Sequence, residues 1–176
     1  MVIHNQDTLT KPAAEKAVQP NRMSNQTGNF LDLPSDRKRD VRTQFGALCW
    51  RRRGSEVQVL LVTTRRTKRW VIPKGWPMAG QTPAGAAAVE AFEEGGVEGV
   101  VSDTCLGIFI YTKEMESDDL PCVVAVFPLK VTRKFNQWPE ETERKRQWFS
   151  PKKAASKVQE PELKRILTTF DPKSII

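Results

Sequence analysis

The chain has 176 residues, 39% of them hydrophobic, and a formal net charge of +7, which suits one substantial core better than two. No run approaches the roughly 18 consecutive apolar residues of a membrane span, and residues 1–20 place Asp7, Lys11, Glu15 and Lys16 where an export signal needs an apolar stretch. Membrane insertion and export are therefore not expected, and a soluble, cytoplasmic protein is.

In chain order, residues 1–40 are rich in Asn, Gln, Ser, Thr, Pro and charge with no sustained period, and read as a flexible leader to a single domain over residues 41–172. Residues 44–50 and 57–64 read as strands joined by a turn at Gly54 and Ser55. Residues 70–72 form a short strand that stops at Pro73, and residues 74–81 are a loop punctuated by Gly75, Pro77 and Gly80. A helix follows: Thr82 is its N-cap, Pro83 fits the first helical position, alanines propagate it to Glu94, and Gly95 and Gly96 stop it. Strands return at residues 100–111 and 121–131 around an acidic loop at 113–119. Residues 132–147 are weakly structured and precede a short Trp148-Phe149 strand. Residues 151–170 carry Ala154, Ala155, Val158, Leu163, Ile166 and Leu167 at helical spacing. Strands mixed with helices in this order imply an α/β or α+β sandwich. The widely spaced Cys49, Cys105 and Cys122 read as buried free thiols.

Charge is concentrated. Residues 41–80 hold nine basic side chains against Glu56 alone, and the remainder nearly cancels. Such a segment suits a phosphate-rich small molecule or a nucleic acid, but the aromatic platforms or recognition helix of a nucleic-acid reader are not evident. Glu90, Glu93 and Glu94 stand at i, i+3 and i+4, on one helix face, opposite an apolar stripe of Ala84, Ala88, Ala91, Phe92 and Gly95. No basic residue between 81 and 98 offsets the acids, and acids near a helix C-terminus cost roughly 0.3–1 kcal/mol each unless neutralised. A solvated acidic helix end is the plain alternative. A hard cation such as Mg²⁺, which takes a few carboxylates and keeps room for water and phosphate oxygens, is the chemical one. His4 is the sole histidine, which argues against a Ser-His-Asp triad, a Cys-His nucleophile or a histidine-rich zinc site.

Residues 75–97, GWPMAGQTPAGAAAVEAFEEGGV, resemble the Nudix box: Gly75, Glu90, Ala91, Glu93, Glu94, Gly96 and Val97 fall in register. Gln81 replaces the first Glu of that pattern and Val89 its Arg, which weakens the support of the acids. The lead-in from Arg69 to Gly75, the Gly107-Ile108-Phe109 strand and the cluster from Arg144 to Phe149 look like the diphosphoinositol polyphosphate phosphohydrolase subfamily, over roughly residues 42–170. The resemblance implies an α/β/α sandwich with a mixed sheet, the box forming a loop, helix and loop. It implies Mg²⁺, with Mn²⁺ as the alternative, held by Glu90, Glu93, Glu94 and the Lys74 carbonyl. Glu93 and Glu94 would be catalytic, with Glu94 as base and Glu140, Glu141 or Glu143 as later candidates. Arg42, Arg65, Arg69, Lys74, Arg133, Arg144 and Arg146 would bind substrate phosphates.

The implied reaction is attack of water on phosphorus in a diphosphoinositol or diadenosine polyphosphate. The implied partner is thus a polyphosphorylated small molecule, with no membrane, and nucleic acid only as a capped or triphosphorylated 5′ end. Three other readings are weighed: a nucleoside or RNA 5′-end pyrophosphohydrolase, a degenerate Nudix module that binds without turnover, and a basic nucleic-acid-binding protein, whose affinity would fall steeply with salt.

Overall fold

The computed structural model describes residues 41–113 and 119–175; the expected leader and most of the acidic loop lie outside them. In chain order the elements are β1 (Arg42–Arg53), β2 (Glu56–Thr63), β3 (Trp70–Val71), β4 (Lys74–Gly75), α1 (Pro83–Gly95), β5 (Val97–Val101), β6 (Gly107–Lys113), β7 (Leu120–Lys134), β8 (Arg146–Phe149), α2 (Pro151–Ala155) and α3 (Pro161–Thr169), closed by a 3-10 turn at Pro172–Ile175. The strands form one mixed sheet. Its central path is β3-β2-β1-β7-β5, with β4 added to β1, β6 to β7 and β8 to β2. Only the β1–β7 pair is parallel, from Arg42 opposite Cys122 to Trp50 opposite Lys130; the other six pairings are antiparallel.

Two apolar faces cover the sheet. On one, Ala84, Ala87 and Ala91 of α1 meet Phe45, Ala47, Cys49, Leu60 and Leu129. On the other, Leu163, Ile166 and Leu167 of α3, with Ala154 and Ala155 of α2, meet Leu48, Leu61, Val124 and Val126. The expected α/β/α sandwich is thus present.

Four expectations change in detail. Residues 100–111 are two strands, because the 15-residue β7 takes β6 along Leu120–Val126 and β5 along Leu129–Lys134. Pro128, which has no N–H to give a ladder, stands where β7 changes neighbours, and its carbonyl accepts from Ser102 N at 3.0 Å as the chain leaves β5. β7 also runs to Lys134, beyond the expected end. On α1 the buried stripe includes Glu94, while Ala88 and Phe92 are only partly covered; Phe92 leans away to meet Phe135 edge-on at 5.3 Å. Cys49 and Cys122 are buried but Cys105 is exposed, because it falls in the link between β5 and β6 rather than in a strand.

The helix termini form as their residues dictate. Thr82 accepts from Gly85 N at 3.0 Å, and Gly96 ends α1 in the left-handed region at φ 59°, which glycine enters without steric cost. That geometry fixes the C-terminal end of α1, and with it the three acids, relative to the sheet.

Candidate active site

A cavity of about 390 Å³ opens at one end of the sheet, between the C-terminal half of α1, the β2–β3 loop, the ends of β1 and β6, and the loop before β8. Glu90, Glu93 and Glu94 all line it, as does Glu140. Glu140 is tied to the helix end, since its backbone N–H donates to the Glu93 carbonyl at 3.1 Å. Glu141 and Glu143 are not among the lining residues.

The three box acids occupy different environments. Glu90 lies against Gly75: a Cβ on that residue would sit 1.7 Å from Glu90 Oε1, so the close approach requires glycine. Burial first, then the charges of Glu94, Glu93 and Glu140, push Glu90 up to about 7. Glu94 is buried, with Oε2 accepting from Lys74 N at 3.1 Å and Oε1 from the Arg144 guanidinium. Burial raises its pKa while Arg144 and Lys74 pull the other way. Glu93 is half-buried, and its carboxylate makes no hydrogen bond or ion pair among the described residues.

Arg144, with 7% of its side chain exposed, bridges the acids: it donates to Glu94, to Glu140, and to the Thr63 carbonyl at 2.9 Å. Arg65 reaches Glu140 and Glu143 at 3.6 and 3.5 Å from an exposed position. Arg69 lines the cavity while also bonding Gln159 and Glu160 ahead of α3, at 2.7 and 3.1 Å. Lys74 Nζ lies 4.5 Å over the Tyr111 ring, and burial lowers its pKa against the pull of Glu94. Arg65, Arg69, Lys74 and Arg144 are thus brought together at the cavity.

Three other expected phosphate contacts are not. Arg146 spends its donors on the Gly95 and Gly96 carbonyls, at 2.7 and 3.0 Å, and on that of Phe135, and stacks 3.7 Å over Trp138. It is a cation closing the negative end of α1. Arg133 faces Glu98 across β7 and lies 4.4 Å over Phe135. Arg42 opens β1 beside Cys122 and is not among the lining residues.

The cavity also holds residues that the sequence did not single out: Gln44, Tyr111, Arg66 and Lys113. Tyr111 donates its hydroxyl to Gln44 Oε1 at 2.7 Å, and Lys113 Nζ lies 5.1 Å from the Trp76 ring. Alternation along β6 could have paired Tyr111 with Lys113, but nothing local places them opposite α1.

The donor set fits a hard divalent cation. It consists of carboxylate oxygens, and burial first, then the charges of the neighbouring acids, raises the Glu90 carboxyl. Among the described residues no group of three or more His, Cys, Asp or Glu side chains is placed to hold a metal ion. A cation would be held by Glu90 and Glu93, with Glu94 pinned beside them. The cavity therefore brings acids able to hold a cation together with Arg65, Arg66, Arg69, Lys74 and Lys113, which suit phosphate.

A family model described as NUDIX domain matches residues 41–170. The chain is 30% identical over 120 residues to Nudix hydrolase 12, mitochondrial, of Arabidopsis thaliana, covering 66% of this chain and 59% of that one. It is 32% identical over 114 residues to diphosphoinositol polyphosphate phosphohydrolase 2 of Rattus norvegicus, covering 64% and 60%. It thus spans less than two thirds of the length of these relatives. Among solved structures, the C. elegans Ap4A hydrolase superposes with a TM-score of 0.53 at 18% identity, covering 73% of this chain and 95% of that one. The MutT protein from Methanosarcina mazei Go1 superposes at 0.57 and 19%, covering 78% and 97%. At such identities the two structures speak to the fold alone.

Proposed function

Since the chain belongs to the NUDIX domain family, we propose that it is a metal-dependent pyrophosphohydrolase that cleaves a diphosphate linkage in a highly phosphorylated small molecule. The observation that supports this most directly is the meeting of Glu90, Glu93, Glu94 and Glu140 with Arg65, Arg66, Arg69, Lys74 and Lys113 in one cavity. A divalent cation there, Mg²⁺ first and Mn²⁺ second, supplies charge neutralisation at the reacting phosphate. The basic side chains bind the phosphates that do not react and align the chain. Water attacks one phosphorus, the bridging P–O bond breaks, and the water proton passes to a carboxylate.

Glu93 suits the base role best. Glu94 is engaged by a guanidinium and an amide N–H, and Glu90 is pressed against Gly75. Glu140 is the one acid of its loop that lines the cavity, and takes the supporting role there. The substrates we assign are diphosphoinositol polyphosphates and diadenosine polyphosphates. The first follows a relative's name, and the second presents a similar run of linked phosphates to the same cations. A nucleoside or 5′-end pyrophosphate substrate is the second reading, favoured by Trp76, 38% exposed at the cavity. Among the described residues no helix is long and apolar enough to cross a membrane. We place the protein in the cytoplasm on its free thiols, although Arabidopsis relatives carry "mitochondrial" in their names; subcellular fractionation tests this.

The test is a substrate panel of diadenosine hexaphosphate, a diphosphoinositol polyphosphate, nucleoside triphosphates and triphosphorylated RNA, assayed with Mg²⁺ and with chelator. Metal-dependent cleavage of the first two, lost in Glu93→Gln, is expected. Retained binding without turnover on the whole panel would instead identify a non-catalytic binding module.

A further inference from the structure

We propose that Arg144 is a positioning residue for the reaction, fixing the cavity's carboxylates from the sheet side by bridging Glu94 and Glu140. The inference rests on the reading of the acid cluster as the working centre. α1 carries no basic residue of its own to orient its acids. The guanidinium that reaches them comes from the loop before β8, 50 residues away from Glu94 in sequence.

That loop is itself fixed to the sheet. Lys145 N donates to Thr63 Oγ1 and Thr63 N to the Lys145 carbonyl, both at 2.9 Å, while Arg144 Nη1 donates to the Thr63 carbonyl. The guanidinium is thus anchored at the end of β2, and its remaining two contacts run to acids on different elements. Glu94 is held from its other oxygen by Lys74 N, so the strand end that carries Lys74 and Gly75, the helix and the loop are registered through one buried cation. A planar guanidinium forms such a divergent bridge, and an ammonium does not reproduce its geometry. Three of its five N–H groups are committed within the protein. Arg144 therefore acts through the carboxylates rather than as one more phosphate contact.

The test compares wild type with Arg144→Lys, Arg144→Gln and Glu140→Gln in steady-state kinetics on diadenosine hexaphosphate with Mg²⁺, each checked for native circular dichroism and Tm. A small displacement of reacting groups costs up to about a hundredfold in rate. The expected result is therefore a kcat lower by about tenfold or more in both Arg144 variants, with KM within about twofold. Arg144→Lys keeps the charge and the fold but does not restore kcat. Because the residues act as a unit, Arg144→Gln/Glu140→Gln should be no slower than the slower single variant.

Removing one partner of a buried pair is costly to folding. If Arg144→Gln fails to fold, Arg144→Lys and Glu140→Gln carry the test, the latter leaving the Arg144–Glu94 pair intact. A rise in KM at unchanged kcat would make Arg144 a phosphate contact and overturn the proposal. So would a kcat within twofold of wild type in Arg144→Lys. Absence of turnover by wild type would instead overturn the hydrolase reading on which the proposal stands.

Discussion

At the scale of single residues, the three box acids differ because their surroundings differ. Glu90 is crowded by backbone and by like charge, Glu94 is held by an arginine and an amide, and the Glu93 carboxylate has neither restraint. Gly75→Ala would place a methyl group 1.7 Å from Glu90 Oε1, so the carboxylate must move. We expect metal-dependent turnover to fall at least about tenfold with the circular dichroism spectrum unchanged. Glu90 also has a pH signature. Its carboxyl is held near 7 in the folded protein, above its ordinary 4.5, so the folded state takes up a proton that the unfolded state has released. Its burial therefore weakens the metal-free protein progressively as pH rises from about 4.5 to 7. Glu90→Gln carries no such penalty. In chelator, the Tm of this variant relative to wild type should increase across that window, and a constant difference would refute the assignment.

At the scale of elements, α1 depends on both of its ends. Thr82→Ala removes the bond to Gly85 N and should cost about 1 kcal/mol in chemical denaturation. Arg146→Ala removes contacts to the Gly95, Gly96 and Phe135 carbonyls and to the Trp138 ring. It should lower Tm more than Thr82→Ala does, because it also frees the loop before β8.

The first of these features was legible in the sequence and the second was not. A threonine, a proline and the alanines after them announce a helix start through local bonds alone, and i, i+3, i+4 spacing puts acids on one face. Arg146 and Arg144 look alike in a basic run, and only the docking of that run on β2 turns one toward the helix end and the other toward Glu94. The division of residues 100–111 into β5 and β6 was hidden for the same reason: it is imposed by β7, a partner distant in sequence that serves two neighbours. Glu94 lines the cavity with Glu90 and Glu93 but also lies in the buried stripe of α1, against the expected division of the two faces. Its burial depends on Arg144, which no local pattern supplies.

At the scale of the whole molecule, the basic segment at 41–80 separates into two regions. Arg51, Arg52 and Arg53 close the β1–β2 hairpin, where Arg51 bonds Gln58 and lies 4.0 Å over Trp148. Arg65, Arg66, Arg69 and Lys74 line the cavity instead. Arg52→Glu/Arg53→Glu should therefore leave KM for a polyphosphate within about twofold. Arg65→Ala, which disrupts only an exposed ion-pair cluster worth little to stability, should raise KM by about fivefold or more, as expected when a charge-assisted bond is lost. Equal effects from both would mean that charge acts over the whole surface rather than at the site.

Whether the carboxylates of α1 carry metal-dependent hydrolysis of a diphosphate bridge is decided by product release from diadenosine hexaphosphate and a diphosphoinositol polyphosphate, with and without Mg²⁺, in wild type and Glu93→Gln/Glu94→Gln. Release by wild type should require the metal and disappear in a double variant of native fold. Release that persists in the variant, or that is indifferent to the metal, would mean that these acids do not carry the reaction.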